Sequence, residues 1–364
     1  MPGPGVGCNG EAAQALRIAL LVPCHNEAAT VAAVVEGFRR SLPSAHCHVF
    51  DNRSVDATAE IARASGAEVH AVALRGKGNV IRRAFADVEA DVYVMVDGDA
   101  TYDAAAAPAL VKRLVEDGLD MVVGARVDQD PAAYRAGHRF GNRLLTRCVA
   151  MMFGDSFDDM LSGYRVFSRR YVKSFPAHAS GFEIETELAV HALQLRMPVA
   201  EIPTTYGARP QGSTSKLNTW RDGARILGTI GRLVMAERPL LFFSACAAAT
   251  LLLSVLLAAP LFVTYLETGL VPRFPTAILC AALVQLSAIL FGCGLVLDTV
   301  TRGRIEAKRL AYLATPATRG RLADAEASPG LAIGASATPA GAAGKSGGSP
   351  VHLPPAAAPD GAVE

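Results

Sequence analysis

The sequence lacks the spacing that would turn its cysteines into a framework. There are seven, an odd number, with no Cys-x-x-Cys pair, and Cys246, Cys280 and Cys293 fall inside apolar stretches. That argues against a disulfide-stapled fold or a cysteine-held zinc, and leaves reduced thiols used as small apolar groups. The chain also lacks an excess of either charge: 35 Lys and Arg face 34 Asp and Glu. Nucleic acid and other polyanions are therefore not expected as partners. Met1–Gln14 lacks the basic start and apolar core of a secretory signal, and the run Ile18–Val22 is short and stops at Pro23. Residues 1–16 are expected to be disordered. The same holds for residues 320–364, rich in Ala, Gly, Pro and Ser and without Phe, Tyr or Trp. Such a tail cannot bury enough apolar surface to offset its ordering entropy.

What is present falls into two solvents. From residue 17 to about 205, short β-rich runs alternate with helical patterns. Ile18–Val22, Cys47–Phe50, Val69–Val72, Val92–Val96 and Met121–Val123 read as strands. Thr30–Ser41, Ala57–Ala64, Asn79–Val88 and Ala105–Glu116 read as the helices between them, and Phe182–Leu195 as a later one. Nearly all-apolar strands separated by helices predict an α/β domain, doubly wound, with its sheet covered on both faces. Ligands of such sheets collect at the carboxyl ends of strands. Three polar clusters fall there: Pro23–Glu27, Asp51–Asp56 and Asp97–Asp99.

The C-terminal third is apolar. Neither Leu240–Leu266 nor Phe274–Leu297 holds a charged residue, and each is long enough to cross about 30 Å of hydrocarbon. Spans are expected over 240–264 and 275–298, joined by a short loop. Arg238 flanks one end; Arg302, Arg304, Lys308 and Arg309, in a basic segment over 299–319, flank the other. The positive-inside rule then puts both ends, and the α/β domain, in the cytoplasm, at the inner (cytoplasmic) membrane. Residues 218–237 mix Arg221, Arg225 and Arg232 with Ile226, Leu227, Ile230 and Leu233. That pattern suits an amphipathic helix lying in the membrane interface, or an ordinary helix packed on the domain surface.

Two Asp-x-Asp pairs compete for a metal. Asp128 and Asp130 lie in a Pro-containing loop with no strong strand immediately before them, whereas Asp97 and Asp99 follow the run Val92–Val96. Positions i and i+2 at a strand end point to one side. Gly98 between them leaves room for a ligand to approach the backbone. Two such carboxylates repel unless a cation neutralises them, and hard oxygen donors suit Mg²⁺ or Mn²⁺ on a diphosphate. On its own the stretch reads equally well as a polar turn.

Six motifs in order tip the balance: LLVPCHNE, VFDNRSVDAT, GKGNVIRRAF, VMVDGDATYD, DDMLSGYRVF and ARPQGSTSKL. Together they resemble family-two glycosyltransferases of GT-A fold, most closely the dolichyl- or polyprenyl-phosphate sugar synthases, over roughly residues 17–235. The resemblance implies a GT-A catalytic domain over 17–217, Rossmann-like and built for nucleotide-diphospho-sugars, with a membrane anchor behind it. It implies nucleotide binding by Pro23, Asn26, Glu27, Asp51, Asn52, Lys77 and Asp97, with Asp97 and Asp99 as metal ligands. Asn26 could instead cap the following helix, Lys77 could simply begin one, and Asp56 reads better as a cap than as a ligand. Asn52 stands where the family has an acid. Asp159, ahead of Ser162–Arg165, matches the proposed base, with Asp158 beside it. A phosphate monoester is already largely a dianion at neutral pH, so Asp159 is expected to orient the site as much as to take a proton. Arg126 and Arg139, with Arg143 behind, match arginines that face the acceptor phosphate, and guanidinium geometry suits that task. Arg209, Ser215 and Lys216 match a loop over the active site, with spacing one residue longer than usual. The helix Phe182–Leu195 carries Glu183, Glu185 and Glu187, of which only a subset can share one face, and Glu185 is the one chosen to lie near the donor sugar. Asp159, Asp99 and Arg126 form the implied catalytic set.

The expected reaction is inverting transfer of a hexose from a nucleotide sugar, UDP-linked glucose or N-acetylglucosamine, to undecaprenyl or another polyprenyl phosphate. A GDP-mannose-dependent mannosyltransferase is the alternative within the class, and an inactive membrane-anchored nucleotide-sugar-binding scaffold the alternative outside it. Membrane lipid is an expected partner and a homo-oligomer a possible one. A processive polysaccharide synthase is disfavoured, because the single Trp, Trp220, lies outside any Gln-x-x-Arg-Trp motif.

Overall fold

The computed structural model describes residues 16–128, 146–147, 149–154, 157–181, 183–207, 228 and 231–318. The strands are β1 (Ile18–Cys24), β2 (Ala45–Asp51), β3 (Glu68–Ala71), β4 (Val92–Met95), β5 (Met121–Asp128), β6 (Arg165–Ser168) and β7 (Val199–Tyr206). They form one sheet in the order β3-β2-β1-β4-β6-β5-β7. The helices are α1 (Val31–Ser41), α2 (Thr58–Ala64), α3 (Lys77–Asp87), α4 (Ala107–Glu116), α5 (Arg169–Ser174), α6 (Ile184–Leu195), α7 (Pro239–Thr268) and α8 (Phe274–Leu313).

Periodicity explains how the layers meet. Val31, Val34, Val35 and Phe38 of α1, with Leu110, Val111 and Leu114 of α4, recur at helical spacing and bury against one face of the sheet. Val80, Ile81, Ala84 and Phe85 of α3 bury against the other face, beside Tyr171 of α5 and Leu188 of α6. Each Val, Leu, Ile or Phe among them, fully buried, contributes about 1.5–3 kcal/mol. Strand β4, Val-Tyr-Val-Met, is buried at every position because both faces are covered.

The domain differs from a purely parallel doubly wound sheet in one respect. Strand β6 runs antiparallel to both neighbours, β4 and β5, while the remaining pairs are parallel. The result is a mixed, GT-A-like sheet. Strands β2 and β3 step outward from β1 on one flank, and the chain then crosses to β4 on the other. That reversal opens a crevice at the carboxyl ends of β1 and β4, where open α/β sheets bind ligands.

Helices α7 and α8 are long and apolar enough to cross a membrane, with mean hydropathy 2.4 and 2.2 over their most apolar windows. Only 11% and 17% of those windows are buried, unlike the core helices of a soluble protein, and the two helices suggest membrane association. They pack through small and hydroxylated residues: Ser254 Oγ donates to Cys280 O at 2.9 Å and Ser287 Oγ to Ala247 O at 2.8 Å. Helix α8 does not end with its apolar run but continues to Leu313. Its polar extension lies along the domain. Arg304 donates to Ala236 O, Lys308 Nζ reaches Gln194 Oε1 at 2.8 Å, and Tyr312 donates to Asp120 Oδ2 at 2.8 Å. Of the expected interfacial helix, residues 228 and 231–237 are described and are helical.

Candidate active site

The crevice at the β1/β4 switch point is where the first acidic pair lies. Asp97 and Asp99 follow β4, with only Val96 between the strand and Asp97. Asp99 is buried, and its Oδ1 accepts from Thr101 Oγ1 at 2.6 Å. Thr30 Oγ1, at the start of α1, donates to Gly98 O at 2.7 Å and ties the turn to the β1 side of the crevice. Gly98 is explained differently from its sequence reading. A Cβ there would lie 2.5 Å from Cys24 Sγ, so the glycine makes room for the protein's own thiol. The glycine that serves the carboxylate is Gly163, whose Cβ would stand 2.4 Å from Asp97 Oδ2.

Asp97 is not alone. Lys77 Nζ pairs with Asp97 Oδ1 and sits 2.7 Å from Glu185 Oε1, with the lysine and glutamate side chains 8% and 7% exposed. Burial alone would discharge that ammonium, but the charges of Asp97 and Glu185 outweigh it and raise the Lys77 pKa above the usual lysine value. Glu185 Oε2 is buried with no hydrogen-bond partner. Lys77 opens α3, as its position after Gly76 suggests, and its side chain turns onto carboxylates. The neighbouring glycines have a packing reason. A Cβ on Gly76 would lie 2.1 Å from Ser180 O, and one on Gly78 2.1 Å from Ala179 O. Gly76 also holds φ at 119°, in the region that favours glycine.

A second charged pair stands across the same turn. Arg126, on β5, grips Asp159 with both edges of its guanidinium: Nε to Oδ2 and Nη2 to Oδ1, each 2.7 Å, with the Arg126 amide adding 3.1 Å to Oδ2. Burial pushes the Asp159 carboxyl up, yet Arg126, through hydrogen bonds and charge, holds it below the ordinary carboxylate range. A carboxylate so held is a weak base and a good clamp. The amides of Asp158 and Asp159 donate to Glu201 of β7, at 2.7 and 3.1 Å. Sequence reasoning missed Glu201, and nothing local in VAEIPTTY signals its partners on a distant turn. The Arg126 guanidinium also lies 5.5 Å from the Tyr206 ring centroid. The residues after Asp159 link the two pairs: the Gly163 amide donates to Tyr102 Oη at 2.8 Å, and Gly163 itself packs on Asp97.

On the nucleoside side the polar residues knit loops together. Asn26 does not cap α1, which begins at Val31 behind Thr30. Its Oδ1 accepts from the Val55 amide at 2.8 Å and its own amide donates to Ser54 Oγ, joining the loops after β1 and β2. Asp56 caps locally through Thr58 and also accepts from the Ala28 amide. Asp51 closes β2 and accepts from the Ser54 amide. Asn52 is buried and its amide group is fully engaged: Nδ2 donates to Val72 O and Leu74 O, and Oδ1 accepts from the Gly76 amide at 2.7 Å. Pro23 lies within β1, and Glu27 O accepts from the amides of Thr30 and Val31. Asp128 ends β5, which runs five residues past the expected Met121–Val123, so a strand does come immediately before it. Asp130, Arg139, Arg143, Arg209, Ser215 and Lys216 lie outside the described residues.

Residues 19–175 match the family described as "Glycosyl transferase family 2". Glycosyltransferase AglJ of Haloferax volcanii is 36% identical over 282 residues, which cover 77% of this chain and 90% of that protein. The chain belongs to glycosyl transferase family 2. This family-2 glycosyltransferase is also 26% identical to a dolichyl-phosphate hexose transferase of Haloferax volcanii, over 61% of this chain and 95% of that one. Among solved structures, a mycobacterial protein aligns with a TM-score of 0.51 at 22% identity, over 59% of this chain and 73% of that one. That likeness concerns the fold.

Proposed function

We propose that this glycosyltransferase moves a hexose from a nucleotide sugar, UDP-linked glucose or N-acetylglucosamine, to a polyprenyl phosphate at the cytoplasmic face of the inner membrane. The observation that carries the reading is one turn, residues 159–165. It joins the carboxylates after β4 to the Arg126–Asp159 clamp, in a domain held against an apolar helical hairpin. The dolichyl-phosphate hexose transferase among the relatives supports the acceptor class.

The donor set fits a divalent cation. Asp97 and Glu185 outnumber Lys77, which pairs with both, and Glu185 Oε2 is a buried acceptor without a donor. Asp97 and Asp99 would hold Mg²⁺ or Mn²⁺, which when bound offsets the negative charge growing on the departing nucleoside diphosphate. Lys77 adds a positive charge beside them, and the loops bound by Asn26 and Asn52 frame the nucleoside. Arg126, fixed by Asp159, presents a guanidinium to the acceptor phosphate. A phosphate oxygen attacks the anomeric carbon as the bond to the nucleoside diphosphate breaks, inverting that carbon. A dianionic acceptor loses no proton in this step, so Asp159 acts by orienting Arg126 and not as a base.

The test uses the purified full chain in detergent with Mg²⁺ or Mn²⁺, undecaprenyl phosphate, and UDP-glucose, UDP-N-acetylglucosamine or GDP-mannose. Sugar is expected in the lipid fraction, from a UDP donor first. If GDP-mannose alone supports transfer, the donor assignment is wrong; if no donor does, the reaction class is wrong.

A further inference from the structure

On β2 and β3, along one flank of the sheet, three side chains converge that the transfer reaction does not use. We infer that His48, Glu68 and His70 form a second metal site, selective for zinc-class divalent ions, that staples β2 to β3. The ladder itself creates the cluster. In the parallel pairing of β2 with β3, His48 stands opposite Glu68 and Phe50 opposite His70. Side chains two residues apart share a face, so all three point the same way. The His70 ring is held by stacking on Phe50, with centroids 4.6 Å apart and planes 13° apart.

The distances match an ion at the centre. His48 Nδ1 and His70 Nε2 are 3.1 Å apart, with Glu68 Oε2 3.3 Å from the first and Glu68 Oε1 3.4 Å from the second, and one donor atom from each of the three residues lies within 4.8 Å of the others. Tetrahedral zinc with bonds near 2.0–2.1 Å sets its donors about 3.3–3.4 Å apart. One hydrogen bond between neutral imidazoles explains only one of these three contacts. It leaves the accepting ring nitrogen facing a carboxylate, lone pair against lone pair. A divalent cation among the three satisfies every contact.

Donor chemistry separates this site from the crevice. Two imidazoles and one carboxylate suit Zn²⁺, Co²⁺ or Ni²⁺, whereas the oxygen-only pair Asp97 and Asp99 suits Mg²⁺ or Mn²⁺. The rings are 13% and 23% exposed and Glu68 65%, so the cluster opens to solvent on the glutamate side, where an ion can enter. Just beyond His70, Val72 O receives Asn52 Nδ2, so the staple would stiffen the strand that leads into the Gly76-Lys77 turn.

Cobalt provides a probe independent of catalysis. The full chain, stripped with a chelator and held in excess Mg²⁺ to occupy oxygen-rich sites, is titrated with Co²⁺. One equivalent is expected to give the intense visible absorption of a four-coordinate ion, to be displaced by Zn²⁺, and to raise the unfolding temperature. The band should vanish in His48→Gln and His70→Gln and persist in Asp97→Asn. Glu68→Gln alters an exposed side chain with little risk to folding, and should weaken Co²⁺ at least about tenfold. A wild-type titration without that band, or a band surviving in the His48→Gln/His70→Gln double variant, overturns the site.

Discussion

Two aspartates mark the opposite ends of the sheet, and they are treated differently. Asp97 follows the carboxyl end of β4, where its side chain remains 29% exposed and pairs with Lys77, an ammonium shared with Glu185. Asp120 precedes the amino end of β5, parallel to β4 in the sheet, and is wholly buried. Ser168 Oγ and Arg170 Nε bind its Oδ1, and Tyr312 binds its Oδ2. Both are carboxylates next to a cation. Only at the crevice does the cluster leave an acceptor, Glu185 Oε2, without a donor. The amino end keeps fixed partners and holds a helix that continues from an apolar span. The carboxyl end places one ammonium between two carboxylates and leaves one of their oxygens without a donor.

The largest effect should come from removing charge at the carboxyl end. Asp97→Asn or Asp99→Asn is expected to lower turnover about 1,000-fold or more, as for loss of a group that stabilises developing charge. Asp128→Asn, the other Asp-x-Asp, should leave turnover near wild type. Sugar transfer at saturating donor reads both, and the reverse pattern would place the metal at the wrong pair.

Stability distinguishes the two ends next. Lys77→Met leaves two carboxylates around an empty ammonium position, and Asp120→Asn deprives Arg170 of its charge. Each should cost about 3–5 kcal/mol, the range for breaking a buried pair from one side. Their responses to Mn²⁺ should diverge. If the crevice can exchange its cation, Mn²⁺ raises the melting temperature of Lys77→Met more than that of wild type. For Asp120→Asn it gives no more than the wild-type shift. Equal Mn²⁺ shifts in all three proteins would erase the distinction between the ends.

A smaller effect follows from Asp159, whose carboxyl is held below its ordinary value by Arg126 against the upward push of burial. A carboxyl with a depressed folded pKa contributes stability that is full above its unfolded pKa, about 3.9. That contribution is lost as pH falls through the folded value. Asp159→Asn should therefore flatten the loss of stability on acidification below about pH 5. Denaturant midpoints at successive pH values measure it. A slope identical to wild type would mean that the clamp does not perturb the group.

How much of this was legible in the sequence depended on distance along the chain. Strands β1, β2, β4 and the start of β5 announce themselves as apolar runs, and α1 and α4 as 3.6-residue patterns. Strand β6 does not, because it is four residues long and opens with Arg165. That arginine is fully buried and is satisfied by the Ser162 and Met160 carbonyls, partners no local pattern reveals. Strand β7 contains Pro203 and Glu201, which argue against a central strand, and it lies at the sheet edge, where proline is tolerated. Within the site, residue identities were readable from motifs but pairings were not. The motif offers Lys77 to the nucleotide or to a helix start; it does open α3, and its side chain meets Asp97 and Glu185 because α3 and α6 pack on the same face. Hydropathy marks where the apolar run ends near Leu297, but not where α8 ends. Arg302 pairs with Asp298 one turn back, and no proline interrupts the helix until Pro316.

The smallest effect tests the amino end alone. Tyr312→Phe keeps the ring that Arg170 covers at 4.8 Å and removes one hydroxyl, which donates to Asp120 Oδ2. Asp120 Oδ1 keeps both of its partners. The variant should lose about 1.5 kcal/mol, the scale of a hydrogen bond to a charged acceptor, and shift the melting temperature by a few degrees. Transfer to polyprenyl phosphate should stay within about twofold of wild type, because no catalytic group touches Tyr312 and effects at separated sites add independently. A large fall in turnover with so small a loss of stability would show that the helix docked at the amino end sets the geometry of the crevice. The two ends would then be one mechanical unit.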